Sequence, residues 1–292
     1  MYKIAILGCE NSHAKSFLEL IKQGEYPALQ VVGVYSEERE AADALHEAYG
    51  VAVLDDYASL AGRVDGIMIT ARHGDNHYRY AKPYLPYRIP MFIDKPITCR
   101  EEDARAFMCE ARENGVRLCG GSTCAAVDET LALAADVANN AYGELRGGAL
   151  ACPIYKGSPY GGFYFYAQHL VEVMTRIFGE GIQAIRADQN GETVTFTARY
   201  DGYSVLATYI EDSGYYSVSV YGARGARTEQ LSISLPSFRH EMNDFLALLK
   251  GADMSKSYES FAYPVFVMNA ILRSLDSGTW EAVAPMERSS AC

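Results

Sequence analysis

The chain has 292 residues, 49% of them hydrophobic and 22% charged, enough for two cores and too apolar for a disordered polypeptide. Its formal net charge is −11 with no clustered Lys/Arg tract, a surface that repels phosphate backbones and argues against a nucleic-acid partner. No apolar run is long enough to span a bilayer, and the stretch Ile4 to Leu7 is too short for a secretory leader, so the reading is a cytoplasmic protein with no membrane partner.

Strands and helices alternate through the first part of the chain. Lys3 to Gly8 reads as a buried strand, and residues 12–23 carry Phe17, Leu18 and Ile21 at helical spacing. Val31 to Tyr35 is a second strand, Ala41 to Tyr49 a helix stopped by Gly50, and Val51 to Leu54 a short strand. Asp65 to Ala71 and Met91 to Ile93 follow as buried strands, the second after a proline-rich corner at 83–90. Thr98 and Glu101 have capping-box spacing for a helix ended by Gly115, and Val116 to Cys119 is the last strand of this half. Apolar strands alternating with amphipathic helices predict a Rossmann-type, doubly wound parallel sheet over 1–120.

From about residue 147 the strands lengthen and alternate, as in Thr193 to Tyr200, Tyr203 to Ile210 and Tyr215 to Tyr221, with turn signals at Asn190-Gly191 and Asp201-Gly202. Two helical stripes close the chain, Phe238 to Leu249 and Val265 to Leu275. The expectation is a C-terminal α+β domain over 121–292 with an open, mainly antiparallel sheet, its final helices free to pack back on the first domain. Tyr203, Val205, Tyr216 and Val218 are either a self-association face of that sheet or its inward face. The seven cysteines, Cys9, Cys99, Cys109, Cys119, Cys124, Cys152 and Cys292, form no C-x-x-C pair and no Cys/His ligand spacing. They read as free thiols, with no metal site.

The first strand ends in Gly8-Cys9-Glu10-Asn11-Ser12-His13. A dinucleotide site usually shows G-x-G-x-x-G here, so that backbone approaches pyrophosphate at a helix N-terminus. Only Gly8 keeps the pattern; Asn11 and Ser12 are good N-caps, and His13 is either a phosphate donor or a cover for the helix start. At the end of the second strand, where a carboxylate would meet the adenosine ribose, stands Ser36, followed by Glu37, Glu38 and Arg39. Ser36 with Arg39 favours a 2′-phosphate and the glutamates argue the other way, so the reading is NADP or NAD, tipped slightly to NADP.

Two further segments carry a resemblance. Phe92-Ile93-Asp94-Lys95-Pro96 is a strand ending in D-K-P, and Gly161-Gly162 precedes Gln168-His169-Leu170-Val171-Glu172. With the opening unit, these resemble the glucose-fructose oxidoreductase / inositol dehydrogenase / rhizopine-catabolism (Gfo/Idh/MocA) family over nearly the whole chain. The stretch from Thr70 through His77 resembles that family's loop after the fourth strand. The resemblance implies a nicotinamide-dependent oxidoreductase acting on a sugar, polyol or related hydroxy compound, assembled as a homodimer or homotetramer. It implies that Lys95 and His169 are catalytic, Lys95 easing a developing alkoxide and His169 relaying the substrate proton. It also implies a cofactor site drawn from Gly8, Glu10, Asn11, Ser12, His13, Ser36, Arg39, Thr70, Ala71, His77, Asp94 and Lys95.

The sequence departs from the family pattern at Phe165, where an acid usually precedes the histidine by one helical turn, and Glu172 is the candidate to compensate. Tyr155, Tyr160, Tyr164 and Tyr166 crowd the same region as lining or core. The alternative function is a catalytically degraded relative that keeps the fold as a ligand or cofactor sensor.

Overall fold

Ile4 to Leu7 have no solvent exposure at all, which is what a strand covered on both faces requires. In the computed structural model, which describes residues 1–286, they form the centre of β1 (Tyr2–Leu7). The chain continues through α1 (Ser12–Lys22), β2 (Leu29–Tyr35), α2 (Arg39–Tyr49), β3 (Gly66–Ile69), α3 (Asp75–Ala81), β4 (Met91–Asp94), α4 (Glu101–Glu113) and β5 (Leu118–Gly121). The five strands are all parallel, in the order β2-β1-β3-β4-β5. Two local expectations fail. Val51 to Leu54 makes only a single bridge, Val53 to Val34, at the edge beyond β2. The Thr98 hydroxyl donates to the Arg100 carbonyl at 3.0 Å instead of capping α4, so no capping box forms.

Among the described residues the chain divides into two compact units: Met1–Gly121 with Ser234–Phe261, and Ser122–Ile233 with residues 262–286. The second unit contains α5 (Asp128–Ala138), β6 (Leu145–Ile154), α6 (Tyr164–Phe178), β7 (Ala184–Asn190), β8 (Thr193–Arg199), β9 (Ser204–Glu211), β10 (Tyr216–Gly222) and β11 (Gly225–Leu231). Helix α7 (Phe238–Leu249) returns to the first unit, where Phe238, Met242, Phe245 and Leu248 join a core with Phe17, Leu20 and Phe92. Helix α8 (Tyr258–Ser277) and β12 (Glu281–Ala282) complete the described chain.

The second sheet has seven strands in the order β11-β10-β6-β9-β8-β7-β12. All its pairings are antiparallel except β6 with β9, which run parallel. Val205 and Val218 are fully buried, whereas Leu206, next to Val205, is 50% exposed. Because side chains alternate across a strand, the two valines belong to the inward face of the sheet. Cys9, Cys99, Cys119, Cys124 and Cys152 are free and buried; Cys109 departs from the free-thiol reading and is disulfide-bonded, and Cys292 lies outside the described residues. Among the described residues no helix is long and apolar enough to cross a membrane.

Candidate cofactor and active site

Register places the ends of four strands on one line. Leu7 pairs with Tyr35 and with Ile69, and Ile69 pairs with Ile93. The residues that follow, Gly8, Ser36, Thr70 and Asp94, therefore stand side by side at the carboxyl edge of the sheet. The chain reverses its direction of winding between β1 and β3, and such a switch point is where open α/β sheets bind ligands. Gly8 has φ +78°, and a Cβ on it would lie 2.4 Å from Ala71 backbone. Only glycine lets the β1 loop approach the β3 loop this closely. The Thr70 hydroxyl locks the contact by donating to the Gly8 carbonyl at 3.0 Å.

Asp94 is the buried hub of this edge. Its Oδ2 accepts from Asn11 Nδ2 at 3.0 Å and its Oδ1 from the Lys95 backbone N–H at 2.7 Å. His13 Nδ1 lies 2.8 Å from Oδ2. Burial, the largest influence, pushes the Asp94 carboxyl up, but His13 and Lys95 beside it and the bonds it accepts hold it down at about 2. Asn11 also caps α1, its Oδ1 accepting from the His13 N–H at 3.2 Å and from the Ser12 hydroxyl at 3.4 Å. The His13 ring is buried edge-on against Phe238 and Phe17, so its place is inside the domain, under the start of α1. Lys95 is 3% exposed, and its peptide to Pro96 is cis.

Glu10 spans three loops. Ser36 Oγ donates to Glu10 Oε2 at 2.7 Å, and the Arg72 backbone N–H donates to Oε1 at 2.9 Å. Ser36 Oγ accepts in turn from the Glu38 N–H at 3.0 Å. Arg39, read as a partner for a 2′-phosphate, pairs instead with Asp55 at 2.8 Å and Asp43 at 3.1 Å. Further along the edge, His77 is fully buried and its Nε2 meets the Ala71 carbonyl at 2.7 Å. Burial pushes its pKa below the usual histidine value, so it is a neutral imidazole that donates to Ala71 and shapes the β3 loop. His73, Asp75 and Cys99 bring their ligand atoms within 4.8 Å of one another. The contacts there are local: the Asp75 N–H donates to His73 Nδ1 at 3.2 Å, and burial with Asp75 pushes the Cys99 thiol up to about 12.

In the second unit, His169 sits on α6 and is 5% exposed. Its Nδ1 lies 2.6 Å from Ser122 Oγ and 3.4 Å from Cys124 Sγ. Neither neighbour is linked to His169 by any sequence pattern; Ser122 is 47 residues away, and no periodicity ties it to α6. Glu172 accepts from Gln168 Nε2 at 2.6 Å, an i,i+4 contact within the same helix. The rings of Tyr166 and Tyr216 stand edge-on to His169, with centroids at 5.1 and 6.0 Å. Tyr155 packs on Tyr166, and Phe165 packs between Tyr160 and Tyr166. Burial pushes the Tyr216 phenol well above its usual value, so it stays neutral at any ordinary pH. One buried imidazole in an aromatic wall, with one nitrogen held by a hydroxyl, is an arrangement able to move a proton at the other nitrogen.

Residues 2–122 match the family model described as oxidoreductase family, NAD-binding Rossmann fold. No curated protein matches the chain. Crystal structures with the same fold include a myo-inositol dehydrogenase from Corynebacterium glutamicum, 18% identical over 98% of this chain and 100% of its own, with a TM-score of 0.81. A myo-inositol 2-dehydrogenase from Lactobacillus plantarum is 13% identical over 97% and 99%, with a TM-score of 0.85. A scyllo-inositol dehydrogenase from Lactobacillus casei, solved with NAD(H) and scyllo-inositol bound, is 14% identical over 97% and 99%, with a TM-score of 0.84.

Proposed function

We propose that this chain, whose residues 2–122 match a family model of NAD-binding oxidoreductases, is an NAD-dependent dehydrogenase of a cyclic polyol or related sugar. The observation that carries this reading is the single line of Gly8, Ser36, Thr70 and Asp94 at the switch point of the parallel sheet. The residues there suit the dinucleotide. Gly8 keeps the β1 loop tight, the start of α1 offers its N–H groups to a pyrophosphate, and Glu10 offers ribose hydroxyls a carboxylate. The nicotinamide, when bound, supplies the hydride-transfer chemistry.

The chain's own residues supply position and proton handling. Lys95, nearly buried and with its backbone N–H on the Asp94 carboxylate, would ease the development of negative charge on a substrate hydroxyl. Within the second unit, His169 is the group able to accept a proton, at the ring nitrogen opposite the one that meets Ser122. Ser122 is a positioning residue, orienting the ring in the way the family acid would have done from the place of Phe165. The polyol substrate class draws on the inositol dehydrogenases of the same fold and on the aromatic wall around His169, an apolar backing for the ring face of a cyclic polyol. The proposed assembly is a homodimer or homotetramer, its contact face the outward side of the second sheet that bears Leu206 and Tyr221; light scattering showing a clean monomer would remove that part.

The test is a panel of inositols and aldoses with NAD, followed by nicotinamide absorbance and by calorimetry. The proposal expects turnover with at least one cyclic polyol, lost by about a hundredfold or more in Lys95→Met. A second reading, a cofactor-binding sensor, draws on Phe165 at the position of the family acid. NAD binding that survives Lys95→Met, with no turnover in either protein, would favour it.

A further inference from the structure

We infer that Glu10 is the residue that selects the cofactor, accepting the adenosine ribose hydroxyls and rejecting a 2′-phosphate. This rests on the dinucleotide reading above and adds the residue that decides between NAD and NADP. The end of β2, where such folds meet the adenosine ribose, has no acid of its own. Ser36 stands there, and Glu37 just beyond is engaged by Arg79. A carboxylate nevertheless reaches the same place from the β1 loop, because Glu10 Oε2 lies 2.7 Å from Ser36 Oγ. The Arg72 N–H pins the other oxygen, so the group is fixed by two loops besides its own.

The donor count decides what this corner accepts. A serine hydroxyl has one hydrogen, and Ser36 gives it to Glu10. Its oxygen already accepts from the Glu38 N–H. Ser36 therefore has no donor left for a phosphate. An ionised carboxylate offers about four acceptor sites; Ser36 and Arg72 take two, leaving one on each oxygen for a pair of ribose hydroxyls. A 2′-phosphate brings only acceptors and like charge. The cation that the sequence placed within reach, Arg39, is drawn off by Asp43 and Asp55. The carboxylate required at the end of β2 is thus delivered by the second-glycine position of the phosphate loop, which removes a glycine and supplies an acid in one substitution.

The experiment is calorimetric titration of the full-length protein, and of Glu10→Gln and Ser36→Ala, with NAD, NADP and ADP-ribose, with melting temperatures recorded for each protein. The expected result is that wild type prefers NAD, that Glu10→Gln raises NADP affinity relative to NAD by about tenfold or more, as removal of one like-charge contact should, and that Ser36→Ala keeps the preference. For the unaltered protein, the preference for NAD should narrow as salt screens the repulsion; this arm stands even if Glu10→Gln fails to fold. A wild type that prefers NADP, a preference unmoved by salt, or an unchanged NAD/NADP ratio in folded Glu10→Gln would each overturn the assignment while leaving the dinucleotide reading intact. A wild type that binds none of the three ligands would overturn both.

Discussion

Asp94 has no solvent contact, yet its carboxyl is held at about 2 because His13, Lys95 and the bonds it accepts outweigh the cost of burial. Its folded pKa lies below the ordinary value of 3.8. The stability it contributes is therefore complete above that value and is lost as pH falls toward 2, an effect on the order of 2 kcal/mol. Asp94→Asn should lower stability at neutral pH by about 3 kcal/mol, the cost of breaking a buried charge cluster. Chemical denaturation as a function of pH should show that deficit shrinking through the acid range. His77 has the same sign. Its pKa is depressed from 6.5 by burial, so its contribution is whole above that pH and declines below it, and the slope should flatten in His77→Gln. Ser122→Ala removes the hydroxyl beside His169 Nδ1. It should cut kcat about tenfold with NAD affinity unchanged, and Ser122→Thr should restore the rate; equal loss in both variants would mean that Ser122 only packs.

At the scale of elements, the parallel sheet was readable because its strands are buried on both faces, as the unbroken apolar run Ile4 to Leu7 announces. The capping box at Thr98 was a correct pattern that the backbone did not use, since its hydroxyl meets the Arg100 carbonyl first. The parallel pairing of β6 with β9 was not legible, because alternation gives the two faces of a strand and says nothing of its neighbour's direction. The same limit left Val205 and Val218 open between an outer and an inner face, and burial now places them inside. Val205→Asp should unfold the second unit or cost more than about 4 kcal/mol, whereas Leu206→Asp should stay within about 0.5 kcal/mol as judged by urea melts. If the outward face assembles, Leu206→Asp should also split the oligomer. Gly8→Ala meets Ala71 backbone and forces a left-handed residue to carry a side chain, so a loss above about 2 kcal/mol and a collapse of NAD binding are expected.

For the whole molecule, the strand–helix rhythm was legible in the sequence, and Lys95 and His169 became candidates through the family resemblance carried by the D-K-P and Gln168–Glu172 segments. It did not yield what holds them. Glu10 meets Ser36 across 26 residues and His169 meets Ser122 across 47, separations at which only the folded chain determines proximity. For the same reason the slight preference for NADP drawn from Ser36 and Arg39 could not take in that the serine is bonded to an acid and the arginine to two others. The proposed reaction is transfer of a hydride between a cyclic polyol and NAD. Its most direct test is label transfer: incubate the enzyme with NAD and an inositol deuterated at its ring C–H positions, then examine the nicotinamide by mass spectrometry. Deuterium on the nicotinamide C4, absent when Lys95→Met is used, is the predicted result; NAD that binds but never acquires the label from any cyclic polyol tested would contradict it.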